Sequence, residues 1–250
     1  MGILQYLFKA EEDVRGSKPR AILVGMFVAF GGVLFGYDTG TISGILTMDY
    51  VTKNFTNTGA FTASETSLIT SILSAGTFCG AMLAPLATDT LGRRPGLFIS
   101  CFIFCVGVIL QTAAAGGATP KEVTSGQVLL IVGRVIAGMG VGVLSAIVPL
   151  YQSEAAPKWI RGAVVSCYQW AITIGLLLAS CVNEGTQRRD NSGSYRIPIA
   201  LQFLWALILI VGMIFLPETP RFHVKKGNTE KARTSLSKLR GLPLDDKYIE

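Results

Sequence analysis

Two charges stand where hydrocarbon is expected. Asp38, in Gly36-Tyr37-Asp38-Thr39-Gly40, and Arg134, in Gly133-Arg134-Val135-Ile136-Ala137-Gly138, are each embedded in long apolar runs. An ionised side chain exposed to lipid is costly, so each must face a cavity or a partner. Each is the available partner for the other. A neighbouring guanidinium favours a carboxylate and burial away from one favours the neutral acid, so a carboxyl moving between those settings binds and releases a proton. The alternative is a fixed buried pair that only sets helix register. A third polar group, Gln169 in Tyr168-Gln169-Trp170, brings an amide oxygen and two N–H donors into another apolar run. It suits a polyhydroxylated ligand or serves as interhelical glue, and spacing alone allows both. Asp38, Arg134 and Gln169 are expected to border one polar pocket.

Other charges gather at the ends of the apolar runs: Asp89, Arg93 and Arg94, then Glu154 and Arg161, then Glu218 and Arg221. A solvated rim is the ordinary meaning of such charges. Their regular placement also suits a network that holds one conformational state and breaks in another. The five cysteines, at 79, 101, 105, 167 and 181, all fall inside apolar runs. Cys101 and Cys105 are one turn apart, but no His accompanies them, so neither a metal nor another cofactor is expected. The thiols read as packing groups. The apolar runs hold no nucleophile with its base and no acid pair, which argues against an enzyme.

The elements that position these residues follow from hydropathy. Ala21–Tyr37, Thr66–Thr88, Pro95–Pro120, Val135–Ser153, Gly162–Asn183 and Ile197–Pro217 contain no Asp, Glu, Lys or Arg. A helix crosses a bilayer with about 20 apolar residues, so each run can span. The first continues past Asp38 to about Met48, and the fourth begins near Val128 and encloses Arg134. Barrel strands would be about ten residues long and alternate in polarity, and these runs do neither. Half the residues are apolar and 15% are charged, which agrees with a lipid-embedded helix bundle. Gly32, Gly36, Gly40 and Gly44 recur every turn of the first helix and form a smooth ridge for close approach. Asp38 lies about 200° around that helix from the ridge.

Lys and Arg alternate in abundance from loop to loop. They crowd the N-terminal segment, the loops around Gly92–Pro95 and Tyr151–Gly162, and the tail after Pro217. The positive-inside rule puts those segments, and both termini, in the cytosol. This bias accounts for the net charge of +6 without a nucleic-acid partner. Asn54-Phe55-Thr56, a glycosylation acceptor triplet, then falls in the first outside loop. Residues 1–20 read as a cytosolic N-terminal segment, 21–216 as the membrane domain and 217–250 as a cytosolic linker. Within the linker, Ala232, Leu236 and Leu239 mark one face of an amphipathic helix from Asn228 to Arg240, with Asn228 as N-cap and Gly241 as stop. That helix docks on the bundle or on the lipid surface.

Taken in order, these residues resemble the sugar porter family of the major facilitator superfamily. The matching elements are Gly36-Tyr37-Asp38-Thr39-Gly40, Asp89-Thr90-Leu91-Gly92-Arg93-Arg94 and Gly133-Arg134. They continue with Pro149-Leu150-Tyr151-Gln152-Ser153-Glu154-Ala155-Ala156-Pro157, Arg161-Gly162, Gln169 and Pro217-Glu218-Thr219-Pro220-Arg221. The first motif, continued by Thr41-Ile42-Ser43-Gly44, looks most like fungal hexose transporters. Thr90 and Pro85 depart from the wider superfamily, which usually has a basic residue and often a Gly there.

The resemblance implies an all-α membrane protein of twelve helices in two halves, each a 3+3 inverted repeat, of which this chain supplies the N-terminal six. It implies a hexose as the small-molecule partner, bound by Gln169 with Phe35, Ile172 and Leu176 lining the cavity. It implies that Asp38 with Arg134 couples protons in symporting members. It also implies that Arg93, Glu154, Arg161, Glu218 and Arg221 close an inner gate by cytosolic bridges. Alternating access requires a second six-helix half, so transport by this chain calls for that partner. A transporter-like sugar receptor and a half that does not transport are the alternatives.

Overall fold

The computed structural model describes residues 18–56, 61–114, 120–158 and 160–246. Among them the chain forms α1 (Lys18–Ile45), α2 (Asp49–Phe55), α3 (Ala63–Thr90), α4 (Arg93–Ala113), α5 (Pro120–Ala155), α6 (Arg161–Thr186), α7 (Gly193–Phe215), α8 (Pro220–Lys225) and α9 (Thr229–Arg240). Six of these, α1 and α3 to α7, are long and apolar enough to cross a membrane. The protein is therefore an all-α integral membrane protein.

Helix ends differ from the ends of the apolar runs wherever a cap or a polar turn extends the helix. Helix α3 begins at Ala63 because Thr62 and Glu65 form a capping box: Glu65 N donates to Thr62 Oγ1 at 3.3 Å and Thr62 N donates to Glu65 Oε2 at 2.8 Å. Helix α5 starts at Pro120, well before Val128, with proline in the first turn where its missing N–H costs nothing. The third run was expected to reach Pro120, yet α4 ends at Ala113, and residues 115–119 lie outside the described set.

Close backbone approach sets the packing. Helix α1 packs chiefly on α6, while α5 packs on both α3 and α4. The expected ridge is the α1–α6 seam: a Cβ on Gly36 would lie 2.0 Å from Ile172 O, and one on Gly32 2.5 Å from Tyr168 O. The α3–α5 seam is built alike, with a Cβ on Gly80 falling 2.2 Å from Met139 O and one on Gly142 2.2 Å from Thr77 O. Each helix surrenders side chains at the crossing so that dispersion contacts form between backbones, the main attraction between helices in lipid. Exchanging the first three spans with the last three maps the first of these seams onto the second. That exchange is the symmetry of a 3+3 repeat.

Two short helices lie where loops were expected. Helix α2 forms because Val51 and Phe55, one turn apart, are both buried, with Phe55 edge-on to Tyr195 at 5.4 Å. Helix α8 follows Thr219 with Pro220 at its first position. Helix α9 matches the expected span and stops at Gly241, which adopts φ 65° and a left-handed backbone that suits glycine. Asn228 occupies its N-cap position but makes no capping bond with its side chain. Ala232 and Leu239 are buried, and α9 rests on α8 and α1, so it docks on protein.

Candidate functional site

The buried charges meet inside the bundle. Asp38 on α1 is 0% exposed and Arg134 on α5 is 1% exposed. Their separation, Arg134 Nη1 to Asp38 Oδ1, is 3.8 Å, a loose ion pair. Asp38 has a nearer partner on α7, where Gln202 Nε2 donates to the same Oδ1 at 3.0 Å. Arg134 Nη1 also donates to Gln111 Oε1 on α4 at 3.5 Å, and Gln111 Nε2 donates to Gly133 O at 3.5 Å. Asp38 Oδ2, Arg134 Nε, Arg134 Nη2 and Gln202 Oε1 are buried without hydrogen-bond partners among the described residues. Four helices thus converge on one acid and one base, both incompletely satisfied.

The glycine ridge explains why Asp38 points there. With Gly36 and Gly40 held against α6, the opposite side of α1 must face α5 and α7. Tyr37 OH donates to Pro198 O at 3.1 Å and fixes α1 against α7 beside the acid.

Gln169 lies on a different surface. It is exposed on α6, and its side chain makes no hydrogen bond among the described residues, so within this bundle it ties no helices together. Ile172 and Phe35 are half-buried, and Leu176 is 39% exposed. Ile172 and Leu176 share a face with Gln169 by helical spacing, next to the α1–α6 seam that brings up Phe35. Ser166, Thr173 and Ser180 extend the exposed polar stripe along α6. The expected single pocket is therefore not what the bundle holds: Asp38 and Arg134 are sealed inside, while Gln169 faces outward. Burying a charge pair demands enclosure by several helices, and Gln169 is not enclosed in that way.

At the end of the bundle that carries α8 and α9, part of the expected charge network is assembled. Arg93 Nη2 bonds Glu154 Oε1 at 2.9 Å, with its Nη1 4.0 Å from Asp89 Oδ1. Lys225 Nζ lies 2.8 Å from Asp89 Oδ1. Glu218 accepts backbone N–H groups: Arg93 N at 3.2 Å, Arg94 N at 2.9 Å and its own neighbour Thr219 N at 2.8 Å. It is an anion on the N-terminus of α4, where orphan donors and the helix dipole favour it. Gly92, at φ 110°, makes the turn that lets the carboxylate approach. Arg94 donates from Nε to Met213 O at 3.0 Å and from Nη2 to Ile214 O at 2.7 Å, satisfying the last carbonyls of α7. Arg161 and Arg221 form no ion pair among the described residues. Arg161 Nε is buried without a hydrogen-bond partner among the described residues, and Arg221 is exposed.

At the opposite end Asn54 sits on α2, with its Nδ2 donating to Tyr50 O at 2.8 Å, and Thr56 Oγ1 donating to Thr52 O at 2.5 Å. Sequence reasoning missed Gln111, Gln202, Lys225 and the capping role of Glu218. The first two carried the same signal as Gln169, an amide in an otherwise apolar run.

The family model described as "Sugar (and other) transporter" matches residues 24–250. The chain is 56% identical over 250 residues to "Major facilitator-type transporter ecdD" of Aspergillus rugulosus, covering 97% of this chain and 44% of that protein. It is 53% identical over 235 residues to "High glucose sensor RGT2" of Saccharomyces cerevisiae, covering 93% of this chain and 30% of that protein. Among solved structures, the inward open xylose transporter XylE from E. coli superposes with a TM-score of 0.78 at 27% identity, over 92% of this chain and 55% of that one. The chain spans less than half the length of these two curated relatives. Its six spans are one half of the major facilitator fold, and the chain belongs to the sugar transporter family.

Proposed function

We propose that this chain is the N-terminal half of a hexose carrier that works by alternating access against a second six-helix half. The observation that carries this reading is the exposed, unbonded amide of Gln169 beside Phe35, Ile172 and Leu176. An amide left open at membrane depth needs a partner, and sugar hydroxyls are both donors and acceptors. Asp38 with Arg134 couples the movement to a proton, and the Arg93–Glu154 and Glu218 contacts hold the α8–α9 end closed in one state. Both termini lie in the cytosol of a plasma-membrane protein, consistent with the excess of Lys and Arg at that end. The protein carries and does not catalyse, and needs no cofactor or nucleic acid.

The test is uptake of labelled glucose by the full-length protein in cells lacking their own hexose carriers. One amide–hydroxyl interaction is worth about 1 kcal/mol, so Gln169→Ala should raise KM about fivefold. Unchanged uptake would end the assignment. A receptor that binds sugar without moving it is favoured by the 53% identity to a protein named as a high glucose sensor. Saturable glucose binding without flux into proteoliposomes would select that reading.

A further inference from the structure

Gln111 and Gln202 surround the buried pair in a way that a static salt bridge does not need. Arg134 stands 3.8 Å from Asp38, while Gln202 donates to that carboxylate at 3.0 Å and Gln111 accepts from the same Arg134 Nη1 at 3.5 Å. Both glutamines are buried, with exposures of 0% for Gln111 and 1% for Gln202. Each touches one member of the pair, and they come from helices other than those of the pair. A primary amide can donate to a carboxylate and accept from a carboxylic acid, whereas Arg can only donate. Gln202 Oε1, now without a partner, is the acceptor that a protonated Asp38 would require.

We infer that Gln111 and Gln202 are positioning residues that act as substitute partners, taking up Arg134 and Asp38 respectively when the ion pair opens on protonation of Asp38. The inference rests on the reading of Asp38 as the coupling acid. A proton from water adds to the Asp38 carboxylate, and the attraction to Arg134 is lost. The Gln202 amide then turns so that its oxygen accepts the new O–H, and the Arg134 guanidinium stays on Gln111 Oε1. Without these amides the open state would hold an isolated guanidinium and an unpaired acid in the bundle interior, which is costly. Tyr37 OH, next to Asp38 on α1, is taken by Pro198 O, while Asn183 lies on the α6 side of α1 and donates to Gly40 O at 3.3 Å and Thr41 O at 3.2 Å. Arg134 is the charged side chain that faces Asp38 among the described residues.

The experiment uses the full-length protein in proteoliposomes with labelled glucose. It compares accumulation driven by an inward proton gradient with exchange at equal glucose on both sides at acid pH. Exchange runs on the protonated carrier and does not require the pair to open and close. The variants are Gln202→Met, Gln111→Met and the double substitution, which keep volume and remove the hydrogen bonds, with Asp38→Asn as the reference. Hydrogen bonds to charged groups are the stronger class, so driven accumulation should fall about tenfold in the double variant while exchange stays within about twofold. Accumulation and exchange falling together with the thermal midpoint would mark the glutamines as structural ties and overturn the inference. So would driven accumulation unchanged in the double variant while Asp38→Asn abolishes it. Accumulation that persists in Asp38→Asn would instead remove Asp38 as the coupling acid, and the inference with it.

Discussion

Arg134 has five N–H donors, and the structure gives them two long contacts, to Asp38 and Gln111. Removing one member of a buried pair strands the other, at a cost of about 3–5 kcal/mol. Arg134→Met should therefore lower the thermal midpoint of the purified protein sharply. Adding Asp38→Asn should recover much of the loss, because the neutral amide no longer needs a cation. A double-mutant cycle by thermal unfolding reads the coupling directly, and additivity within ~0.5 kcal/mol would mean the two charges are energetically separate. Gln169→Ala should leave the same midpoint unmoved, since its side chain bonds nothing among the described residues. The need for a partner at Asp38 was legible in the sequence from an acid within an apolar run. That Gln202 stands nearer to it than Arg134 was not, because the depth and rotation of α7 decide which amide arrives.

Among the elements, the α1–α6 seam is the most sensitive to size. A Cβ on Gly36 would meet Ile172 O at 2.0 Å, a backbone atom that cannot rotate away. Gly36→Val should abolish folded protein in detergent by size-exclusion chromatography. Gly185→Ala, at an exposed position in the last turn of α6 with nothing within 4 Å, should be neutral. The four-residue spacing made this ridge legible in advance, as it did the direction of Asp38. A second sensitive point is the N-terminus of α4, where the Glu218 carboxylate accepts two backbone N–H groups of that helix. Glu218→Ala removes a cap worth about 1 kcal/mol and should lower the thermal midpoint by a few degrees. In sequence Glu218 is one charge among several at a helix end. Its role as an anion on another helix's N-terminus arises from the turn at Gly92.

For the whole molecule, the outward surface tells what surrounds it. Phe102 and Phe215 are exposed at 69% and 82%, a surface that lipid tails cover. The α3 and α6 spans are the least enclosed, with 28% and 22% of their apolar windows buried, and they are the two that symmetry relates. An exposed polar stripe runs along α6 through Ser166, Gln169, Thr173 and Ser180, and α3 has its own at Ser67, Thr70, Ser71 and Ser74. Lipid does not favour such stripes, and on the proposed reading they are the faces that would meet a second half across a water-filled cavity. The proposed orientation predicts that the α2 end is extracytoplasmic. Endoglycosidase treatment should shift the mobility of the full-length protein made in a eukaryotic cell, and Asn54→Gln should abolish that shift.

The sequence by itself determined the class of the molecule, the number and order of its spans and the side of α1 that meets another helix. Each follows from a local requirement: hydrocarbon accepts only continuous apolar runs with internally bonded backbones, and close approach needs small residues at every turn. Tertiary structure alone decided who answers the buried charges, which of the terminal charges join, and that Gln169 faces away from Asp38. Those outcomes depend on the rotation and depth of helices far apart in the chain. A hydrogen bond at 3.0 Å between Gln202 and Asp38 exists only when α7 and α1 are both in place.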